Sequence, residues 1–469
     1  LDGFVSFLKT FNEKGGELLG EIGGWIWGPP LLILLVGTGL YLSFRLVFLQ
    51  FRALPYALKL AFGKQDKKSE GDIPHYQALT TQLAATVGTG NIAGVATAVV
   101  AGGPGAVFWM WITALVGMAT KYAEALLAVR FREKNERGTM SGGPMYYLEK
   151  GIPNKAGKTL GIMFAVFAAL AAFGIGNMTQ SNTAALTLKS TFNISPWITG
   201  LVFTVVAALV IVGGIKSIGK VTAFFVPIMA AFYIIGGLIL IVMNLDLVGN
   251  AISLIFSEAF NLQAGLGGLL GSAIRYGVAR GVFSNEAGLG SAPIAAAAAK
   301  TDYPARQALV SMTQVLIDTI IICSITGITI VMADQWGSGL NGSVLTSASF
   351  EQFLGSFGTY VVGLGVLFFT FSTILGWSYY GERAISYLFG ENSVRYYRLI
   401  FVVFIFVGSV VTIDVVFNFS DVMNGLMAFP NLVGLLALSG IVVAETRSFM
   451  KVAKQEKLER KSSSISTDA

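Results

Sequence analysis

The chain has 469 residues, of which 54% are hydrophobic and 12% charged, more apolar surface than one water-soluble core of this length can hide. Its formal net charge of +6 comes from Lys and Arg set in the polar breaks between long apolar stretches, a membrane-topology pattern and not a nucleic-acid footprint. A single cysteine, Cys323, excludes an internal disulfide framework; a single histidine, His75, cannot build H-E-x-x-H; and no Walker A run is present, which excludes an ATP-driven pump within the chain.

Residues 1–24 are of mixed polarity and read as an extracellular surface helix. A helix crosses the hydrocarbon layer with about 20 apolar residues, and eleven stretches meet that need: 25–48, 77–102, 106–129, 160–188, 196–213, 221–243, 266–299, 309–332, 360–380, 399–417 and 422–444. The expected fold is therefore an all-α integral membrane protein with eleven transmembrane helices. The ten-residue alternation that a membrane barrel needs is absent. Basic residues gather in alternate connections: Arg52, Lys59, Lys64, Lys67 and Lys68; seven between 130 and 158; Lys216 and Lys220; Lys300 and Arg306; Arg383, Arg395 and Arg398. This bias puts the amino terminus outside and the tail, 445–469, in the cytoplasm; its last residues, KSSSISTDA, are too polar and small to order themselves.

After the helix at 25–48, ten spans remain and divide into five-helix repeats at 76–244 and 265–444. An odd number per repeat inverts the second relative to the first. Each repeat opens with a glycine-interrupted span, ATVGTGNIAG at 85–94 and GVARGVFSNEAG at 277–288, and such pairs mark the central site of secondary transporters. A break between Thr86 and Asn91 would turn the amides of Thr89, Gly90 and Asn91 inward to receive a carboxylate. The carbonyls of Ala84 and Val87 would face a small hard cation, with hydroxyls from another helix completing its shell. Such a site takes a zwitterion and a cation together. Two other readings of these residues stand beside it: Gly88, Gly90 and Gly94 as tight helix-packing positions, and TVGTG as a cousin of the potassium-channel TVGYG filter, which would need four copies.

Ionisable residues inside spans are functional candidates by default. Lys121 and Glu124 share a helix face and can pair; Arg275, Arg280 and Glu286 surround the second break; Asp318 and Asp414 are candidates for gating or coupling. With many oxygen donors and one histidine, sodium suits the inventory better than protons, while Asp318, Asp414 and Glu286 keep proton coupling as the alternative.

Three long strings carry a resemblance: GGPGAVFWMWITALVG at 102–117, GIGNMTQSN at 174–182 and RGVFSNEAGLGSAP at 280–293 resemble hallmarks of the sodium:alanine symporters, the alanine or glycine:cation symporter family. The resemblance implies a sodium-driven carrier for alanine and glycine with the two inverted repeats and discontinuous first helices of the leucine-transporter type of fold, working as a monomer in the lipid bilayer. VGTGN at 87–91 looks like the leucine-transporter VGLGN, which implies a carboxylate-binding turn at Val87, Gly88, Thr89, Gly90 and Asn91, bordered by Thr86. The same comparison implies a sodium site from the carbonyls of Ala84 and Val87 and the hydroxyls of Ser372 and Thr373, in FSTILGW at 371–377. Trp377, one turn on, would shrink the pocket. Opposite, Phe173 would cap the substrate and Asn177 and Gln180 would hydrogen-bond it. On the second broken helix, carbonyls near Val278 and Ala279 would accept the ammonium group, with Phe283 or Ser284 close by.

Overall fold

The structure, a computed structural model, describes residues 2–63, 69–260, 271–411 and 414–467. Lys64, Lys67 and Lys68, the start of the expected span at 266–299, and the side chains of Asp414 and of the last residues lie outside what is described. Helix dominates because lipid offers no partner for backbone N–H and C=O groups, and a helix satisfies them within one segment.

Helix α1 (Asp2–Ile26) packs on a late helix through Asn418, whose Nδ2 donates to the Gly16 carbonyl at 2.7 Å. At Gly28 and Pro29 the chain bends by 44° into α2 (Pro29–Arg45), proline being well suited to a first helical turn. Two short helices follow, α3 (Leu49–Arg52) and α4 (Leu54–Phe62). The first repeat opens with α5 (His75–Thr86), a break, a π-helical turn at Gly90–Gly94 and α6 (Val95–Gly102), with a 53° change of direction. Then come α7 (Gly105–Arg130), an antiparallel hairpin of β1 (Glu133–Lys134) and β2 (Met140–Ser141) that pairs Glu133 with Ser141, and α8 (Pro144–Gly151). A second π turn, Gly174–Met178, joins α9 (Asn154–Phe173) to α10 (Thr179–Phe192). The half closes with α11 (Pro196–Ile211) and α12 (Gly214–Met243), and α13 (Leu245–Glu258) follows.

The second half begins with α14 (Ser272–Asn285) and α15 (Pro293–Ala297). A long π segment, Leu316–Cys323, lies between α16 (Pro304–Val315) and α17 (Ser324–Ala333). After α18 (Gly342–Leu354) come α19 (Ser356–Phe389), α20 (Ser393–Val410), α21 (Asp414–Ala437) and α22 (Ser439–Thr467). Among the described residues six helices are long and apolar enough to cross a membrane, or up to nine when each bent pair counts as one span. The polar tail is ordered further than its composition suggests, since α22 continues to Thr467.

The outer helices expose large apolar side chains to their surroundings, among them Leu209 on α11, Phe224 and Val242 on α12 and Leu399 on α20. A surface of this kind needs lipid as its solvent. The centre is close-packed instead. There α5 lies against α15 and α6 against α14, so the two interrupted helices run in opposite directions side by side. Helix α19 crosses them, and Gly376 makes the crossing possible: a Cβ there would sit 2.6 Å from Ala85 Cβ and 2.8 Å from its backbone N. Gly376→Ala should therefore push α19 off α5 at a cost of about 1–3 kcal/mol, read as a lower melting temperature of the purified protein. Gly37→Ala, with nothing within 4 Å of the added Cβ, should leave the melting temperature unchanged.

Candidate substrate and cation site

Helix α5 ends because Val87 turns to an extended conformation (φ −76°, ψ 92°). Its freed peptide groups do not stay bare, contrary to the expectation of inward-facing amides. Gly88 N donates to Asn91 Oδ1 at 2.9 Å, Thr89 N to Gln180 Oε1 at 3.2 Å, and Asn91 N to the Gly88 carbonyl at 3.3 Å. The reason is energetic, since a buried donor without a partner costs about 1–3 kcal/mol.

On the carbonyl side, Ser372 Oγ lies 3.3 Å from Ala84 O and Thr373 Oγ1 lies 3.2 Å from Val87 O. Both hydroxyls also reach the Phe369 carbonyl, at 2.9 and 3.0 Å. When each hydrogen turns to Phe369, its oxygen lone pairs face the break, leaving four neutral oxygens from two helices around one point. Among the described residues no group of three or more His, Cys, Asp or Glu could hold a metal ion, so the oxygen set at this break is one of carbonyls and hydroxyls. Gly88 closes the wall: a Cβ there would stand 2.5 Å from Thr373 Oγ1 and 3.0 Å from Gln180 Oε1.

The second break lies later than the sequence reading put it. Helix α14 is continuous to Asn285, and the chain turns at Glu286, which is left-handed (φ 56°), and at Gly288 and Gly290 (φ 93° and 82°). Val278 and Ala279 are thus inside a helix, where the ladder claims their carbonyls for the following turn, so they are not free ammonium acceptors. The glycines of GVARG serve packing: a Cβ at Gly277 would meet the Ala106 carbonyl on α7 at 2.5 Å. Buried side chains from α7 satisfy the true break. Lys121 Nζ donates to the Glu286 carbonyl at 3.0 Å, and Glu124 Oε1 accepts from Gly288 N, Gly290 N and Asn431 Nδ2 at 3.0, 3.1 and 2.7 Å. Lys121 and Glu124 do approach each other, at 3.9 Å, yet their shorter contacts are to the loop.

Asp318 ties the two breaks together. From the π segment its carboxylate accepts from Asn91 Nδ2 at 2.8 Å, Ser284 Oγ at 2.9 Å and Thr319 Oγ1 at 2.7 Å. The backbones meet at the same place, because a Cβ on Gly90 would be 3.0 Å from Ser284 Cα and 3.4 Å from the Phe283 ring. Thr89 and Phe283 line a cavity of about 210 Å³ with Thr179, Thr183 and Ser420. A neighbouring cavity of about 270 Å³ reaches Trp27 and Arg275. Arg280 and Asp421 border both, and their side chains are 3.4 Å apart.

The remaining expected residues divide. Gln180 belongs to the site, its Nε2 donating to Thr89 Oγ1 at 3.2 Å and to the Ile175 carbonyl at 2.8 Å. Trp377 is fully buried, donates Nε1 to Glu286 Oε1 at 2.8 Å, and fills the space a Cβ on Gly176 would need. Three residues face elsewhere. Thr86 donates to Gln82 O and accepts from Gln314 Nε2; Asn177 donates to the Phe401 carbonyl at 2.6 Å; and the Phe173 ring packs among Tyr397, Phe401 and Phe404. Asn177 and Phe173 are turned to α20 by the extra residue of the π turn at Gly174–Met178, a register change that regular helical spacing does not reveal. The backbone-capping role of Glu124 was also missed, although a buried carboxylate on a helix is its one sequence signal.

Two solved structures share this architecture. MhsT in complex with L-phenylalanine aligns with a TM-score of 0.56 over 82% of this chain and 98% of that one, at 15% identity. A substrate-bound, outward-open Na+-coupled sialic acid symporter aligns at 0.51 over 83% and 82%, also at 15% identity; at such identities the likeness is one of fold. Fold and site together define a membrane transporter built on interrupted helices. The description "Sodium:alanine symporter family" matches residues 13–463, and the chain belongs to that family. Among its relatives, the sodium/alanine symporter AgcS of Methanococcus maripaludis is 56% identical over 97% of this chain and 99% of that protein. The amino-acid carrier protein AlsT of Bacillus subtilis is 34% identical over 92% and 91%.

Glu124→Ala should remove the acceptor of three buried N–H donors at about 1–3 kcal/mol each, so that little folded protein survives extraction on size-exclusion chromatography. Glu124→Gln, which keeps a carbonyl oxygen, should retain a folded peak.

Proposed function

We propose that this protein is a secondary active symporter that couples inward sodium flow to uptake of alanine, and of glycine and other small neutral amino acids, by alternating access. The observation that carries the reading is the oxygen set of Ala84, Val87, Ser372 and Thr373, one residue from the turn at Gly88 to Asn91. Sodium takes those four oxygens, and the substrate carboxylate takes the amide of Thr89 once Gln180 Oε1 has swung away, leaving Gln180 Nε2 as a second donor. The positive ion and the carboxylate then attract each other across Gly88, so each raises the affinity of the other by the same factor. Phe283 and Ser284 border the substrate from the second interrupted helix, and Trp377 limits side-chain size. The eleven-helix arrangement in inverted five-helix repeats, with the amino terminus outside and α22 in the cytoplasm, belongs to this reading. The sodium/alanine assignment of the 56% identical relative supports it.

One observation favours protons as the coupling ion instead: Asp318 and Glu286 are fully buried carboxylates, one in contact with each break. Uptake of labelled alanine into proteoliposomes separates the readings. An inward sodium gradient at equal pH should drive accumulation, and a proton gradient without sodium should not. The opposite result would exclude sodium, and current without amino acid would indicate a channel.

Thr373→Ala removes one of four oxygens from a charged ligand, an interaction worth about 1.5–3 kcal/mol. It should raise the sodium concentration for half-maximal uptake roughly tenfold or more. Trp377→Ala should let leucine and phenylalanine compete with labelled alanine, which they do not do in the wild type.

A further inference from the structure

A groove of about 760 Å³ lies away from the transport site, between α4 and α22. Arg52, Ala53, Pro55, Tyr56 and Lys59 line one wall, and Met450, Ala453, Lys454, Glu456 and Lys457 the other. Its charge is one-sided. The lone carboxylate, Glu456, is already taken by Arg306, whose Nη2 and Nη1 donate at 2.5 and 3.1 Å. Arg306 is itself held over the rings of Phe449 and Tyr303, so it is a fixed strut under α22. Arg52 gives one N–H to the Leu46 carbonyl at 3.3 Å. For Lys59, Lys454 and Lys457 no protein partner is found among the described residues, so three ammonium groups converge on the groove with their charge uncompensated.

The groove is also apolar between its cations. Ala53, Pro55, Tyr56, Met450 and Ala453 form its body. The flanking surface continues in the same character, with Phe51 50%, Phe62 63% and Leu458 59% exposed. Helices α3 and α4 follow directly on α2, so this surface lies at the end of an apolar helix, where headgroups meet hydrocarbon. A soluble anion would use the lysines and leave the apolar walls in water. A phospholipid uses both, its phosphate against the lysines and its glycerol and upper acyl carbons against the apolar side chains.

We propose that this groove binds the headgroup of an anionic phospholipid, which bridges Lys59 on α4 to Lys454 and Lys457 on α22. Bound there, the lipid pins α22 and, through Glu456 and Arg306, the start of α16. Assignment to the inner leaflet rests on the orientation proposed above; the binding itself does not.

The test uses the purified full-length protein in detergent and needs no transport, so its outcome is independent of the coupling ion and substrate. Native mass spectrometry with equimolar phosphatidylglycerol and phosphatidylcholine should retain phosphatidylglycerol at least fivefold over phosphatidylcholine. The variant K59Q/K454Q/K457Q should lose that preference, and K155Q/K158Q, which removes two exposed lysines elsewhere, should keep it. On the wild type, 0.5 M salt should abolish the preference as screening shortens the reach of the charges, which tests the proposal even where the triple variant is not recovered. Equal retention of both lipids, an undiminished preference in the triple variant, or displacement by millimolar inorganic phosphate would each overturn it, the last by making the groove a site for a free anion.

Discussion

A peptide group set free inside a membrane must find a partner, because no water reaches it and an unpaired N–H or C=O there costs several kcal/mol. This protein interrupts two central helices and so frees many such groups at once, and much of the remaining interior answers that requirement. Asn91 and Gln180 take up amides of the first interruption, Ser372 and Thr373 meet its carbonyls, and Lys121 and Glu124 serve the second. Buried charges, which would be costly anywhere else in lipid, are stable here because backbone dipoles surround them.

The same requirement joins the two halves. Asp318 accepts from Asn91 of one interrupted helix and from Ser284 of the other, so neither can move without disturbing the carboxylate that holds both. Trp377 and Glu286 make a second link between α19 and the later break. A carrier that rocks one half against the other needs contacts of this kind, polar and few in number, that can be exchanged without tearing a close-packed apolar core. The neutral oxygens near Gly88 suit such exchange, since hydroxyls that can turn to Phe369 leave or rejoin the set by rotation alone.

The peripheral elements have a different relation to the site. Helix α22 is attached by ion pairs at its flanks, Arg130 with Glu445 and Arg306 with Glu456, and α1 lies along α21 on the other side of the molecule. These attachments hold the frame within which the interrupted helices move, and they are where lipid composition can act on the protein.

The membrane class, the helical content, the positions of the long apolar segments and the first interruption were all legible in the amino-acid order. Each rests on local composition: twenty apolar residues in a row, or glycines at 88 and 90, have the same meaning wherever the segment ends up. The pairing of Ala84 and Val87 with Ser372 and Thr373 was reached through resemblance to a family of strings, since nothing local links residues nearly 290 apart. Tertiary structure alone decided the rest. The second interruption falls at Glu286 and not near Val278, because Gly277 and Gly281 are spent on contact with α7. Asn177 and Phe173 face α20, because a π turn adds a residue and rotates everything after it. Glu124 became a cap for Gly288 and Gly290 only when α7 was laid beside the break. Sequence specifies which groups are apolar, flexible or charged; the partner of a buried polar group is chosen by whichever helix packs next to it.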